Sequence, residues 1–293
     1  MALKQTDRDG TENPQQHNRG PERRAVLRRE GWGPGRLLLC ACAVALLLGA
    51  TKARAQYVEA TIMLPDTLGG LRRPWSIAYS TVSNRVYVGC EEGVFAVDAT
   101  TNERLARVTT NGWVIELCYN PQNDKIYCAD IDNGNVTVIA CGTDSIIARR
   151  GDYTRAFCYN PAYNKVYCAS TAEDRVVVLD GATNAVVATV DVGDSPRGLC
   201  YSPQNNKVYC ANQFSGDVSV IDGASDSVIA TVTSSGNPGP LCHNPEYNKV
   251  YCGNGTGNSV TIIDAEGKVA LWQDWADLKK LREMLEKMTG KKS

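Results

Sequence analysis

Between about residue 57 and residue 271, apolar and polar positions alternate with a period of two in short runs. Val, Ile, Thr and Tyr dominate these runs, as in "VSVID" (Val218–Asp222) and "AVVATVDV" (Ala185–Val192), and Gly, Asn, Asp and Pro separate them. Alternation of this kind, with branched side chains in the runs and turn formers between them, predicts short β-strands joined by tight turns. No helical periodicity interrupts the interval. The pattern changes after residue 271, where Trp275, Leu278, Leu281, Leu285 and Met288 fall at helical spacing among Lys, Arg and Glu. That spacing predicts one amphipathic helix over residues 272–293, capping the strands or docking a partner.

The strand pattern repeats. "CYNPQNDKIYC" begins at Cys118, "CYNPAYNKVYC" at Cys158, "CYSPQNNKVYC" at Cys200 and "CHNPEYNKVYC" at Cys242, with a degenerate copy, "AYSTVSNRVYV", from Ala78. The copies start 40, 40, 42 and 42 residues apart. Each copy holds two strands around an Asn-Pro turn, then a variable loop, a third strand, an Asp-Gly turn and a fourth strand. Four antiparallel strands per repeat of this length form the blade of a β-propeller, which hides most sheet edges by radial repetition. Solenoids built on helices are excluded by the missing 3.6-residue period. The expected fold is all-β, a propeller of about five blades over residues 56–271. The run "YVEATIML" (Tyr57–Leu64) reads as a fourth-strand segment that precedes the first blade. It is expected to pair with "SVTIID" (Ser259–Asp264) and close the ring.

At the second strand of each repeat the chain resembles the YVTN β-propeller repeat proteins, whose motif appears here as "YCAN" (Tyr209–Asn212), "YCGN" (Tyr251–Asn254), "YCAS" and "YCAD". The following "VIDGASDSVIATV" resembles the same family, and the likeness spans roughly residues 57–264. The resemblance implies a propeller fold and an exported or surface-associated protein. It implies no particular activity, since one fold hosts many functions.

Residues 1–55 read as an export segment. Arg23, Arg24, Arg28, Arg29 and Arg36 precede the apolar run Leu37–Ala50, and Ala53-Arg54-Ala55 matches a small-x-small cleavage site. The apolar run is shorter than the ~20 residues that a bilayer span needs, so no membrane span is expected after cleavage. The expected location is outside the cytoplasm: periplasmic, cell-surface or secreted. Of 31 Lys+Arg and 32 Asp+Glu, the first 55 residues hold 10 and 5, so residues 56–293 carry 21 against 27, a net charge of −6. An acidic domain without a basic stripe argues against nucleic acid as partner.

Removal of residues 1–55 would take away Cys40 and Cys42 and leave ten of the 12 cysteines. In an oxidising compartment these are disulfide candidates. The ten-residue spacing within a hairpin suggests the pairs Cys118–Cys128, Cys158–Cys168, Cys200–Cys210 and Cys242–Cys252, each facing across two strands. The bland alternative is that Cys is a small buried filler in the slot that holds Val in the YVTN motif. The spacing does not suit zinc, whose sites use close Cys pairs.

His17 and His243 are the two histidines, too few for a multi-histidine metal site, and His243 occupies a slot that other repeats fill with Tyr. No nucleophile elbow, Walker loop or HExxH motif is present. "RGD" at Arg150–Asp152 matches an adhesion tripeptide, a match too short to carry weight. Comparison of repeats instead separates two sets of loops. The Asn-Pro and Asp-Gly turns hardly change and look structural. The other loops vary between copies, share the opposite rim, and carry Trp75, Trp113, Tyr153, Arg155, Arg197 and Phe214. Aromatic residues and Arg are the types that anchor binding surfaces. The resulting expectation is a non-enzymatic binding or scaffold protein, without cofactor or metal, that presents this rim to a protein or glycan ligand. Two alternatives remain. One is a propeller hydrolase or lactonase using rim carboxylates such as Glu91, Asp130, Asp132 and Glu173, with calcium as a suitable cation. The other is a structural surface-layer component. The sequence leaves the oligomeric state open.

Overall fold

The computed structural model describes residues 61–62, 73–110, 112–264 and 269–272, all within a compact unit spanning Ala60–Ser293. The export segment expected over residues 1–55 and the helix expected over residues 273–293 lie outside the described residues. Trp272, expected to begin that helix, ends a strand instead.

The described chain forms five four-stranded antiparallel sheets, each in simple sequence order. Sheet 1 holds β1 (Ser76–Ser80), β2 (Arg85–Cys90), β3 (Gly93–Asp98) and β4 (Arg104–Thr109). Sheet 2 holds β5 (Val114–Asn120), β6 (Lys125–Asp130), β7 (Asn135–Ala140) and β8 (Ser145–Gly151). Sheet 3 holds β9 (Thr154–Asn160), β10 (Lys165–Ser170), β11 (Arg175–Asp180) and β12 (Val186–Asp191). Sheet 4 holds β13 (Pro196–Ser202), β14 (Lys207–Asn212), β15 (Asp217–Asp222) and β16 (Ser227–Thr233). Sheet 5 holds β17 (Pro238–Asn244), β18 (Lys249–Asn254), β19 (Ser259–Ile263) and β20 (Val269–Trp272). These are the blades that the repeat predicts, and the first strands β1, β5, β9, β13 and β17 pack side by side from one sheet to the next. Where β13 meets β17 the approach is close enough that a Cβ on Gly198 would collide with the Gly239 carbonyl.

Turn chemistry sets the hairpins. Each first-to-second-strand loop ends on a residue of positive φ, namely Asn84, Asp124, Asn164, Asn206 and Asn248. The third-to-fourth-strand loops do the same with Asn102, Asp144, Asn184 and Asp226. Asn and Asp tolerate the left-handed region better than other non-glycine residues, which is why they punctuate the sequence at these places. Asn120 and Asn160 also accept backbone N–H bonds from two residues on, at 2.9 Å each.

Four apolar cores lie between successive sheets. The first joins Tyr87, Val94 and Ala96 of sheet 1 to Leu117, Ile126, Cys128 and Ile139 of sheet 2. The same arrangement recurs between sheets 2 and 3, 3 and 4, and 4 and 5. Each interface thus has a forward face, centred on the second-strand Tyr and two third-strand residues, and a receiving face from the next sheet.

Polar clamps run beside these cores. In sheet 2, the Lys125 ammonium donates to the Gly181 and Ala182 carbonyls of sheet 3 at 2.9 and 2.7 Å, and the Tyr127 hydroxyl donates to Asn184 at 2.8 Å. In sheet 3, Lys165 and Tyr167 both donate to Asp226 of sheet 4 at 2.6 Å. In sheet 1, Tyr87 donates to Asp144 at 2.7 Å, and Arg85 pairs with the same carboxylate. A second ladder links first-strand ends to the next sheet's turn: Ser80 to Asp124 at 2.6 Å, Asn120 to Asn164 at 3.0 Å, Asn160 to Asn206 at 2.9 Å, and Ser202 to Asn248 at 3.1 Å. The nearly constant turns are therefore structural staples between blades.

Two expectations are corrected. The fourth strand of sheet 5 is β20, which follows β19 after a short connection and pairs Val260 with Trp272. The Tyr57–Leu64 run does not take that place; Thr61 and Ile62, its described residues, are outside any strand. A short local connection costs far less closure entropy than joining segments nearly two hundred residues apart. The cysteine pairs are also not opposed. Asn160 faces Lys165 across a four-residue loop, which sets Cys158 opposite Tyr167 and Cys168 opposite Phe157. Successive residues of a strand point to opposite faces, so this one-residue difference sends the two thiols to opposite sides of the sheet. Cys158 enters the core between sheets 3 and 4, and Cys168 the core between sheets 2 and 3. The same register holds for Cys118 and Cys128, Cys200 and Cys210, and Cys242 and Cys252. All ten cysteines from Cys90 to Cys252 are free thiols.

Candidate functional site

The rim opposite the staples is formed by the loops between second and third strands and between one sheet and the next. Three groups of side chains stand on it. Trp75 and Trp113 form an edge-to-face pair with ring centroids 5.2 Å apart and an interplanar angle of 81°. Trp113 is held by its backbone N–H, which donates to Asp132 at 2.9 Å, while Trp75 remains 64 % exposed. The Trp113 indole N–H is buried without a partner.

The second group lies where sheets 2 and 3 meet. Tyr153, 53 % exposed, lies over Gly134, whose φ of +62° puts the backbone where any Cβ would press on the tyrosine ring. Tyr153 and Arg155 line a notch of about 200 Å³ together with Ile131, Thr154, Thr171 and Ala172. The third group belongs to sheet 4, where the Arg197 guanidinium sits 6.0 Å from the centroid of Phe214, itself 70 % exposed.

A bulge aims both arginines. In β9 the pairing jumps from Thr154–Ser170 to Ala156–Ala169, leaving Arg155 as the extra residue; in β13 it jumps around Arg197 in the same way. Bulges re-aim a side chain and end regular pairing. The repeated bulge is the feature that sequence reading missed, although Thr-Arg-Ala and Pro-Arg-Gly occupy the same repeat position and carry its trace.

The rim carboxylates are engaged separately. Glu91 pairs with Arg73 at 3.2 Å, and Glu173 pairs with Arg175. Asp132 is taken by the Trp113 backbone. Asp130 is fully buried, and burial raises its pKa above the usual carboxylate range. Among the described residues no three His, Cys, Asp or Glu side chains gather where they could hold a metal ion. His243 sits on the stapled rim, with its Nε2 3.2 Å from Ser202 Oγ and 3.3 Å from Asn248 Oδ1. The Arg150–Asp152 tripeptide is tied down: the Arg150 guanidinium donates to the Asn184 carbonyl at 2.8 Å, and Asp152 pairs with Arg175 at 3.5 Å. Burial makes most of the thiols poor nucleophiles: it pushes those of Cys90, Cys200 and Cys252 up to about 11 and those of Cys118 and Cys141 up to about 12.

No family model matches the chain, and no curated protein matches it. Solved structures do. A chain of the Kuenenia stuttgartiensis hydrazine synthase superposes with a TM-score of 0.59 at 20 % identity, covering 74 % of this chain and 70 % of that one. A functionally unknown protein from Desulfotomaculum acetoxidans superposes with a TM-score of 0.57 at 12 % identity, covering 67 % and 68 %. Likeness at these identities concerns the fold, and it supports the β-propeller architecture.

Proposed function

We propose that this chain is an exported propeller of the YVTN repeat type that binds a protein or glycan ligand at its variable rim and catalyses no reaction. The observation that carries the reading is the exposure of Trp75, Tyr153 and Phe214 on one rim, each beside another aromatic or an arginine. Exposed aromatics cost hydration, and Trp, Tyr and Arg dominate the energetics of recognition surfaces. The opposite rim also exposes Tyr163 and Tyr247, but they sit in turns that repeat almost unchanged and whose polar groups are spent on staples between sheets. The loops around Trp75, Tyr153 and Phe214 instead vary from blade to blade. The separate engagement of Glu91, Asp132 and Glu173 favours binding over hydrolysis. The test is a glycan array and an envelope-extract cross-linking screen with the full chain, repeated with Trp75→Ala and Phe214→Ala. Each substitution should weaken the captured ligand by about tenfold or more, the loss expected of a hot-spot aromatic. Binding that survives both substitutions, or ester hydrolysis by the purified chain, would overturn the proposal.

A further inference from the structure

Each internal interface joins a forward face to a receiving face, and the five sheets use four of each. Among the described residues, one forward face, on sheet 5, and one receiving face, on sheet 1, remain without a sheet against them.

The forward face of sheet 5 carries Tyr251, Val260, Ile262 and Cys242. Their counterparts in sheet 4 are covered by sheet 5, with Tyr209 at 2 %, Val218 at 0 % and Val220 at 2 % exposure. In sheet 5 Val260 is 42 % exposed, Tyr251 and Ile262 are half-buried, and Cys242 is the one exposed thiol among the described residues. The receiving face of sheet 1 carries Ile77, Val86, Val88 and Val97. Ile77 is 71 % exposed, whereas Leu117 and Phe157 at the same position of sheets 2 and 3 are 8 % exposed. Val86 is half-buried and Val88 and Val97 are buried, so the face is open around Ile77 and closed deeper in. These four residues, with Ile62 at the edge, line an open apolar cavity of about 350 Å³ whose far side is Asp98, Ala99 and Asn102 of the third-to-fourth-strand turn.

Among the described residues the polar clamps lack partners in the same complementary sense. At internal interfaces a second-strand Lys and Tyr donate to the next sheet's turn carbonyl and to its last, left-handed Asn or Asp. Sheet 5 presents the donors of that clamp, Lys249 and Tyr251, and sheet 1 presents its acceptors, the Ala99 carbonyl and Asn102, whose φ of 61° matches that of Asp144, Asn184 and Asp226. Among the described residues, both halves of a clamp used elsewhere in the chain therefore stand without a partner, one on sheet 5 and one on sheet 1.

We propose that a second copy of this chain occupies these faces, with sheet 5 of one copy packed on sheet 1 of the next as a sixth blade would be. The interface would be a continuation of one that the chain already builds four times. It joins unlike surfaces, so it is heterologous, and association propagates head to tail until a closed ring or an open chain results.

Sedimentation and light scattering of the full chain over a concentration series test this. The mean mass should rise with concentration. Ile77→Lys blocks one face and Val260→Lys the other, both at exposed positions where lysine leaves the fold intact, as circular dichroism should verify. Each variant alone should be monomeric. An equimolar mixture should form a dimer and nothing larger, because only one good face remains on each copy. Asn102→Ala, which leaves the apolar faces alone, should weaken wild-type association by roughly two- to tenfold through loss of the hydrogen bond that Tyr251 of the next copy would donate. A wild-type chain that stays monomeric at every concentration overturns the proposal, whether its own segment around Ile62 or internal closure covers the faces. Association that persists in both lysine variants, or a mixture of folded variants that stays monomeric, overturns it equally.

Discussion

Tyr167 gives the sharpest test of the inter-blade clamps. Its side chain is fully buried, and its hydroxyl donates to Asp226 Oδ1 at 2.6 Å, while Lys165 donates to the other carboxylate oxygen at 2.6 Å. The Lys165 and Asp226 side chains are 14 % and 11 % exposed, so water screens the cluster weakly. Tyr167→Phe removes one bond to a charged acceptor, and about 1.5–3 kcal/mol of stability should go with it. Tyr127 is the internal control. Its hydroxyl donates at 2.8 Å to the neutral Asn184, and Tyr127→Phe should cost about 0.5–1.5 kcal/mol. Asp226→Ala leaves a buried hydroxyl and a nearly buried ammonium with only long contacts, 3.3–3.5 Å, to the Gly223 and Ala224 carbonyls, which should cost about 3–5 kcal/mol. Urea unfolding followed by tryptophan fluorescence reads all three, provided the denaturant slope is unchanged. The expected order is Asp226→Ala, then Tyr167→Phe, then Tyr127→Phe. The double variant Tyr167→Phe with Asp226→Ala should lose less than the sum, because both act on one network. Additive losses, or a Tyr127→Phe effect as large as that of Tyr167→Phe, would refute the reasoning.

The aspartates that open the third-to-fourth-strand turns should make stability depend on acid pH. Asp98, Asp180 and Asp222 accept backbone N–H bonds from Thr101, Thr183 and Ser225, which hold their pKa values below the usual range. A folded-state value below the unfolded one stabilises at pH above about 3.9 and is lost as pH falls through the folded value. The combined variant Asp98→Asn, Asp180→Asn and Asp222→Asn should therefore unfold at lower urea than wild type at pH 7 and at nearly the same urea at pH 2. Gly198→Ala should destabilise by roughly 1–3 kcal/mol, read as a lower thermal midpoint, because the added methyl collides with the Gly239 backbone. Denatured chain should titrate the same number of thiols before and after reduction, since register separates each hairpin pair. In native chain diluted to the monomer, Cys242 should react first, and Cys242→Ser should remove that fast phase.

Much of this architecture is legible in the residues alone. Alternation in runs such as Val218–Asp222, Asn and Asp where a left-handed turn residue is needed, and a repeat of 40–42 residues specify strands, turns and blades. These are local requirements of backbone sterics and of one buried face per strand, so they leave a local signature. The rim aromatics and arginines were likewise visible, because loops that vary between otherwise matching copies stand out. What tertiary structure decided is the register, the partnering of distant segments and the two open ends. A shift of one residue in the hairpin sends Cys158 and Cys168 to different cores, and nothing in "CYNPAYNKVYC" distinguishes the two registers. The fourth strand of sheet 5 could be supplied, by pattern, from either side of the repeats, and proximity along the chain gave it to Val269–Trp272. The exposure of Ile77 and Val260 is invisible in sequence for a simple reason. Their repeat positions are apolar in every blade, and only the count of neighbouring sheets determines whether water reaches them.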